Sequence, residues 1–158
     1  MKELSEFNKA DREGQEKVIP TLRKIFSGAT DLIIEQHIED NGKIDILVTA
    51  TTSNNNEHWY AIECKDRWFE SRKYNDMMLE TYKYKALLDA KEKGYKPLFI
   101  NTFKDGVMMI WDVSDMTAFA PDGERYCGRA TVEDRGKVMK TCKFLKTDKA
   151  IWKGKIQS

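Results

Sequence analysis

Apolar positions near the N-terminus recur at helical spacing. Val18, Leu22 and Ile25 are separated by four and three residues, which predicts that the first 26 residues are largely helical. Pro20 interrupts this pattern, because proline removes a backbone hydrogen bond inside a helix and clashes with the preceding turn. The sequence therefore predicts either a kink near residues 16 to 20 or two short helices.

The next part of the chain changes to a strand-like pattern. Three runs are rich in Ile, Val, Thr and aromatic residues, as β-strands are. The first two are joined by Asn41-Gly42, which favours a tight hairpin, so we expect sequential antiparallel strands. The runs extend over Asp31 to Ile38, Lys43 to Thr52 and Trp59 to Lys65.

The second half of the chain predicts one helix and further strands. Residues from Tyr74 to Lys93 have a helical composition, and the apolar runs Pro97 to Phe103 and Val107 to Val113 are separated by a short turn. A last hairpin is predicted from Val138 to Trp152. The order of helix, three strands, helix and strands predicts an α/β domain with a central mixed sheet flanked by helices.

Length and charge limit the domain count and the partners. A chain of 158 residues predicts one domain, residues 1–158, with a core at about 13–113 and a β-rich, basic C-terminal extension at about 114–158. A net charge of +1 does not indicate nucleic-acid binding. From residue 136 onward, however, seven lysines accompany one acid. This end suits either phosphate contact or a solvated strand edge that resists aggregation.

The sequence also gives expectations about location and cysteine chemistry. It contains no apolar run long enough to span a membrane and no apolar stretch typical of a secretory signal near the N-terminus. We therefore expect a cytoplasmic protein without a membrane partner. Cys64, Cys127 and Cys142 are few and widely spaced, which predicts free thiols rather than a disulfide framework or a zinc site.

Charged residues within two predicted strands carry the most specific chemical signal. Side chains alternate between the faces of a strand, so Glu63 and Lys65 share one face of their strand. On the preceding strand, Asp45 lies on the face that its apolar neighbours do not occupy. If the two strands are adjacent, Asp45 lies close to both. Two neighbouring carboxylates repel unless a cation binds between them.

Oxygen ligands favour a hard divalent metal. Asp45, Glu63 and the backbone carbonyl of Cys64 suit Mg²⁺ or Mn²⁺, which keep several waters and accept phosphate oxygens. Such an ion lowers the pKa of a bound water and polarises a phosphoryl group. Lys65 then either orients or deprotonates the attacking water, or stabilises charge in the transition state.

This arrangement resembles the PD-(D/E)xK nuclease superfamily, which includes restriction endonucleases and Holliday-junction resolvases. The resemblance rests on Asp45 in "GKIDILV" and on Glu63-Cys64-Lys65 in "YAIECKDR", although Ile44 stands where the motif has proline. It covers about residues 13–102. It implies a restriction-endonuclease-like αβββαβ core and a divalent-metal phosphodiesterase acting on DNA.

The resemblance implies further site residues. Many members carry a glutamate on the first helix that helps to bind metal, and Glu16 is the first candidate, with Glu13 next. Related enzymes also place residues that contact phosphate on the helix after the motif, where Lys83 and Lys85 occur. Each of these charged residues is also compatible with a solvated surface.

The segment directly after the motif mixes basic and aromatic side chains. Arg67, Arg72 and Lys73 are candidates for DNA binding, because cations grip phosphate while aromatic rings stack on bases. An ordinary exposed loop explains the same residues equally well.

Two functional classes follow from these patterns. The first is a metal-dependent deoxyribonuclease, most simply an endonuclease from a phage or a bacterial defence or repair system, acting alone or as a homodimer. The second is a catalytically inactive nuclease-fold module that binds DNA or another protein. Intact Asp45, Glu63 and Lys65 favour the enzyme.

Overall fold

The computed structural model describes residues 6–37, 44–121, 125–130 and 137–156. Two α-helices and nine strands make up most of this part of the chain. In chain order they are α1 Glu6–Ile25, β1 Asp31–Gln36, β2 Ile46–Thr51, β3 Glu57–Asp66, β4 Asp76–Glu80, α2 Thr81–Glu92, β5 Lys96–Thr102, β6 Val107–Asp112, β7 Arg125–Ala130, β8 Lys137–Lys146 and β9 Trp152–Lys155.

A six-stranded mixed sheet forms the centre of the fold, in the order β1-β2-β3-β5-β6-β9. Only the β3–β5 pair in this sheet is parallel, and its other pairs are antiparallel. A second sheet has the order β4-β8-β7. The indole N–H of Trp111 on β6 donates a 2.8 Å hydrogen bond to the carbonyl of Lys146 on β8, which ties the two sheets together.

The two faces of the central sheet pack against different helices. On one face α1 contributes Val18 and Leu22 to a core with alternate residues of the strands, including Ile46 and Ile62. On the other face α2 and the second sheet pack against the intervening residues, including Ala61. The alternation of side chains along each strand therefore supplies two separate cores.

Helix α1 runs without interruption through Pro20, so the prediction of two short helices is wrong. Val18 and Leu22 are each 1% exposed on either side of the proline. Their burial against the sheet stabilises the helical conformation across this position, in spite of the missing backbone hydrogen bond. The kink stays a prediction.

The helix predicted from Tyr74 to Lys93 is wrong in its first part. Residues 76–80 form β4, and α2 begins only at Thr81. Met77 and Leu79 are buried on β4 while it pairs with β8. Pairing with a strand distant in sequence decides this segment, and that pairing outweighs local helix propensity.

The hairpin predicted between Val138 and Trp152 is also wrong. Strand β8 pairs with β4 and β7, whereas β9 pairs with β6 at the edge of the central sheet. The C-terminal region therefore contributes to both sheets. The β5–β6 hairpin is confirmed, with Gly106 at φ 79° in its turn. The turn predicted at Asn41-Gly42 lies outside the described residues.

The free-thiol prediction holds for one cysteine and fails for another. Cys64 is buried and is not part of a disulfide, but Cys142 is disulfide-bonded, so the prediction is wrong for Cys142. The side chain of Cys127 lies outside the described residues. In the described part of the chain, neither helix combines the length and apolar character of a membrane-spanning segment.

Candidate functional site

Asp45 and Glu63 meet where β2 begins and β3 nears its end. The antiparallel register pairs Ile46 with Ile62, and one further step places Asp45 opposite Glu63 on the same face. The Oδ2 atom of Asp45 accepts a 2.9 Å hydrogen bond from the backbone N–H of Cys64. Asp45 is 9% exposed and Glu63 is 3% exposed. The structure thus brings together the two predicted carboxylates.

A set of hydrogen bonds holds the backbone of Asp45 in place. The N–H of His37 donates to the carbonyl of Asp45 over 2.8 Å, and the ring Nδ1 of His37 lies 2.9 Å from the carbonyl of Ile44. Gln15 on α1 donates through Nε2 to the carbonyl of His37 over 3.1 Å. Helix α1 therefore supports Asp45 indirectly, through His37, which directly follows β1.

Lys65 shares the face of Glu63 by strand alternation and is partly exposed. Lys65, Glu80 and Lys83 line a small cleft between the end of β3 and the start of α2. Helix α2 packs over this face of the sheet and brings Lys83 towards the carboxylates. The parallel crossover from β3 to β5 thus places α2 residues beside strand residues.

The charge on Lys83 responds to the acids of the site. Burial would lower the pKa of Lys83, but the charge of Glu63 and of three further neighbours outweighs burial and raises this pKa above its usual 10.5. The three neighbours are Tyr82, Glu80 and Asp45. Lys83 therefore stays protonated at neutral pH and offsets part of the negative charge. Its prediction as a phosphate-contacting residue is compatible with this position.

Glu80 is a site residue that the sequence reasoning missed. It is 5% exposed and immediately precedes α2. It contributes to the charge near both Lys83 and Arg67. The helix predicted from Tyr74 to Lys93 placed Glu80 inside a helix, whereas it is the last residue of β4.

Arg67 is placed differently from its prediction as a surface DNA-binding residue. It is 7% exposed, and its guanidinium donates to Asn101 Oδ1 over 2.7 Å and to the Met78 carbonyl over 2.6 Å. Burial lowers the pKa of Arg67 from its usual value to about 10, and the nearby charge of Glu80 partly offsets this effect. Arg67 connects the central sheet to β4, and its hydrogen-bonding groups point inward rather than towards a ligand on the surface.

Glu16 lies at the exposed surface of α1. It pairs with Arg12 one turn earlier over 2.9 Å. Gln15 is 0% exposed instead, because it lies three and seven residues before Val18 and Leu22 on the same side of the helix. The assignment of Glu16 as a catalytic residue stays a prediction. Glu13, the second candidate, is also exposed.

The remaining predicted DNA-binding residues lie at the surface. Arg72, Lys73 and Lys85 are exposed, so phosphate can reach them. In the basic C-terminal stretch, Lys137 and Lys140 have side chains outside the described residues. These assignments stay predictions.

The donor set fits a hard divalent ion that is only partly held by protein. In the residues that the structure describes, no three His, Cys, Asp or Glu side chains form a metal-binding group. Asp45 and Glu63 supply two carboxylates, which is how Mg²⁺ is commonly bound, with water and phosphate completing its shell. The carbonyl of Cys64 is the third predicted donor. Two carboxylates suit such an ion better than a structural metal, because Mg²⁺ is usually bound through one or two protein carboxylates.

The architecture around these residues matches a known structure. Archaeoglobus fulgidus Hjc, a Holliday junction resolvase from an archaeal hyperthermophile, superposes with a TM-score of 0.52 over 88% of this chain and 90% of that chain. The fold is restriction-endonuclease-like. The α/β fold class expected from the sequence is therefore confirmed.

The same comparison limits what can be transferred. The two sequences are 13% identical, so the likeness establishes the fold and leaves the activity to the residues of the site. No family model matches the chain, and no curated protein matches it. Any activity therefore has to be inferred from Asp45, Glu63, Lys65 and their neighbours.

Proposed function

We propose that the protein is a divalent-metal-dependent DNA endonuclease that hydrolyses phosphodiester bonds. The observation that carries the proposal is the pair of buried carboxylates, Asp45 opposite Glu63, with Lys65 two residues further along β3. Burying two acids side by side costs free energy unless positive charge compensates them. A restriction-endonuclease-like fold with this arrangement supports nuclease chemistry better than a purely structural role.

Each residue has a distinct task in this proposal. Asp45 and Glu63, with the carbonyl of Cys64, hold Mg²⁺ or Mn²⁺. The hydrogen bond from the Cys64 N–H fixes the orientation of the Asp45 carboxylate. When bound, the ion supplies Lewis-acid activation of the phosphoryl group and of a water molecule.

The two lysines act on the phosphate rather than on the metal. Lys65 is partly exposed, so its ammonium group can reach a phosphate oxygen or orient the attacking water. Lys83 remains protonated because its pKa is raised. A fixed positive charge close to the reacting phosphate stabilises negative charge that develops in the transition state.

A cleavage assay tests the proposal. Purified protein is incubated with supercoiled plasmid, linear duplex, single-stranded DNA and a four-way junction, in Mg²⁺, Mn²⁺ or EDTA. We expect cleavage that requires the metal and that falls at least about 100-fold in Asp45→Asn and Lys65→Met. Glu57→Gln is the matched control, since Glu57 is an exposed acid at the opposite end of β3 from the site. Equal activity of Asp45→Asn and the control would contradict the proposal.

The alternative is a nuclease-fold module without catalysis that binds DNA or a protein. Folded protein that cleaves none of the substrates, and whose melting temperature does not respond to Mn²⁺, would favour this alternative.

The preferred DNA substrate in the assay names the kind of endonuclease, and sedimentation of the same samples tests the expected homodimer. A phage, defence or repair role in the cytoplasm belongs to the proposal.

A further inference from the structure

An aromatic side chain projects from the loop that follows the site strand. Trp68 is 82% exposed, the largest value among the exposed large hydrophobic residues that the structure describes. Burial of an aromatic ring of this size normally contributes a large share of the hydrophobic free energy. An indole that is exposed to this degree, directly after the strand that carries Glu63 and Lys65, can stack on a ligand. We call residues 68–74 the aromatic loop.

The aromatic loop is anchored on several sides. The Ser71 hydroxyl donates to Asp105 Oδ2 over 2.7 Å, and the backbone N–H of Lys104 donates to the carbonyl of Phe69 over 3.0 Å. Phe69 also packs beside Phe103, with ring centroids 6.1 Å apart. Trp68 therefore projects from a segment whose neighbours are fixed.

The carboxylate of Asp105 keeps its charge in this anchor. Burial would raise the pKa of Asp105, but hydrogen bonds from the hydroxyl and the backbone N–H of Ser71 outweigh burial and lower this pKa below 3.8. The anchor is therefore complete at neutral pH.

A cation lies between the two exposed rings of the loop. The Nζ atom of Lys73 is 5.8 Å from the ring centroid of Trp68 and 5.6 Å from that of Tyr74. Tyr74 is itself 50% exposed. Aromatic rings with an adjacent cation are the combination that binds a nucleobase and its phosphate in single-stranded nucleic acid.

The aromatic loop lies close to the candidate site along the chain. Trp68 follows Lys65 by three residues, so even a fully extended chain separates their Cα atoms by at most about 11 Å. The intervening Arg67 is held by Asn101 and by the carbonyl of Met78. A base bound on Trp68 therefore belongs to a nucleotide close to the phosphate at the site.

We propose that Trp68, with Lys73 and Tyr74, stacks on an unpaired DNA base beside the phosphate that is cleaved. The inference rests on the proposed nuclease function and narrows its substrate to DNA with an unpaired nucleotide, such as a branch, flap or gap. Bases inside an intact duplex have both faces covered by their neighbours, so they offer no free face to the indole. Protein partners usually bind contiguous apolar patches, whereas Trp68 and Tyr74 are single rings among charged side chains.

A binding measurement in EDTA separates this inference from catalysis. Two labelled duplexes of one sequence are compared by fluorescence anisotropy, one fully paired and one with a single unpaired 2-aminopurine. We expect the protein to bind the second duplex about 10-fold more tightly and to quench its 2-aminopurine fluorescence, and Trp68→Ala to lose about 10-fold in this affinity. Trp68→Phe retains a ring and should recover part of the binding.

Trp59→Ala is the matched control. Trp59 is 41% exposed and lies near the start of β3, several residues before Lys65. It should bind both duplexes as the unchanged protein does. Equal affinity of Trp68→Ala and the unchanged protein for the unpaired duplex overturns the proposal and favours a protein-contact role for the ring. Trp68-dependent binding without metal-dependent cleavage supports the base site while refuting the nuclease activity.

Discussion

The two faces of the central sheet are built from neighbouring residues of the same strands, yet they differ in kind. The face covered by α1 buries large apolar side chains, with Ile46, Ile62 and Ile100 each 0% exposed. The face covered by α2 begins in the same way at Ala61 but then buries Glu63. The period of two in each strand thus separates a face that stabilises the fold from a face that carries charge.

This difference shows how the fold buries acidic side chains and still keeps an apolar core. The buried acids lie at the ends of strands, where Lys83 and backbone N–H groups can reach them. The apolar face behind them supplies hydrophobic free energy that is independent of their charge. Substitutions on the two faces should therefore have separable effects.

The largest contrast is expected between two consecutive residues of β3. Ile62→Ala removes buried methyl groups on the α1 face and should lower the free energy of unfolding by about 2 to 5 kcal/mol. The remaining folded molecules should keep their cleavage rate. Glu63→Gln should lower the cleavage rate by at least about 100-fold without a comparable loss of stability. Urea unfolding and cleavage assays on both variants measure the two effects. Similar losses of stability and of cleavage rate in the two variants would contradict the distinction between the two faces.

Arg67 is the next test, since it connects the charged face to β4. Arg67→Met leaves the buried oxygens of Asn101 and Met78 without their donor, and we expect it to lower the free energy of unfolding by about 2 to 3 kcal/mol. Arg72→Met, at an exposed position of the following loop, should change stability by less than about 0.5 kcal/mol. Equal stabilities in urea would show that the internal hydrogen bonds of Arg67 contribute nothing.

A smaller effect is expected from the positive charge of α2. Lys83→Met removes the cation beside Glu63 and should lower stability at neutral pH by about 1 to 2 kcal/mol, because like charges then remain together in a half-buried cleft. Added Mn²⁺ should recover part of this loss by binding the acids. Lys85→Met serves as the exposed control on the same helix. Thermal melts with and without Mn²⁺ measure both effects, and a loss that Mn²⁺ leaves unchanged would argue against charge compensation.

The smallest effects concern helix α1. Gln15→Ala removes the hydrogen bond to the carbonyl of His37 and should cost about 1 kcal/mol. Glu16→Ala removes a surface ion pair and should cost less than about 0.5 kcal/mol, with cleavage unchanged. A strong loss of cleavage in Glu16→Ala, measured beside its melting temperature, would restore Glu16 to the site.

Local patterns were sufficient to predict the centre of the site. Strand alternation and the antiparallel order place Asp45 opposite Glu63, and both depend only on residues within one hairpin-length segment. The periodicity of α1 also contained the signal for Gln15, which shares a side with Val18 and Leu22.

Long-range pairing decided the features that could not be predicted. Residues 76–80 form a strand because β8 pairs with them, and no neighbouring residue carries that information. The burial of Arg67 likewise depends on Asn101 and on the carbonyl of Met78. Glu80 became a site residue only once the start of α2 was known.

The pairing of β4 with β8 also has a consequence for the order of assembly. Strand β4 is synthesised before β5 and β6, but its partner β8 follows both. Such non-local contacts form slowly, because a long loop must close before any pairing energy is gained. A growing chain can thus pair β2 with β3 and bring Asp45 to Glu63 well before β4 and the start of α2 are fixed. We therefore expect the charged cleft to be completed after the β2–β3 pair that carries its acids.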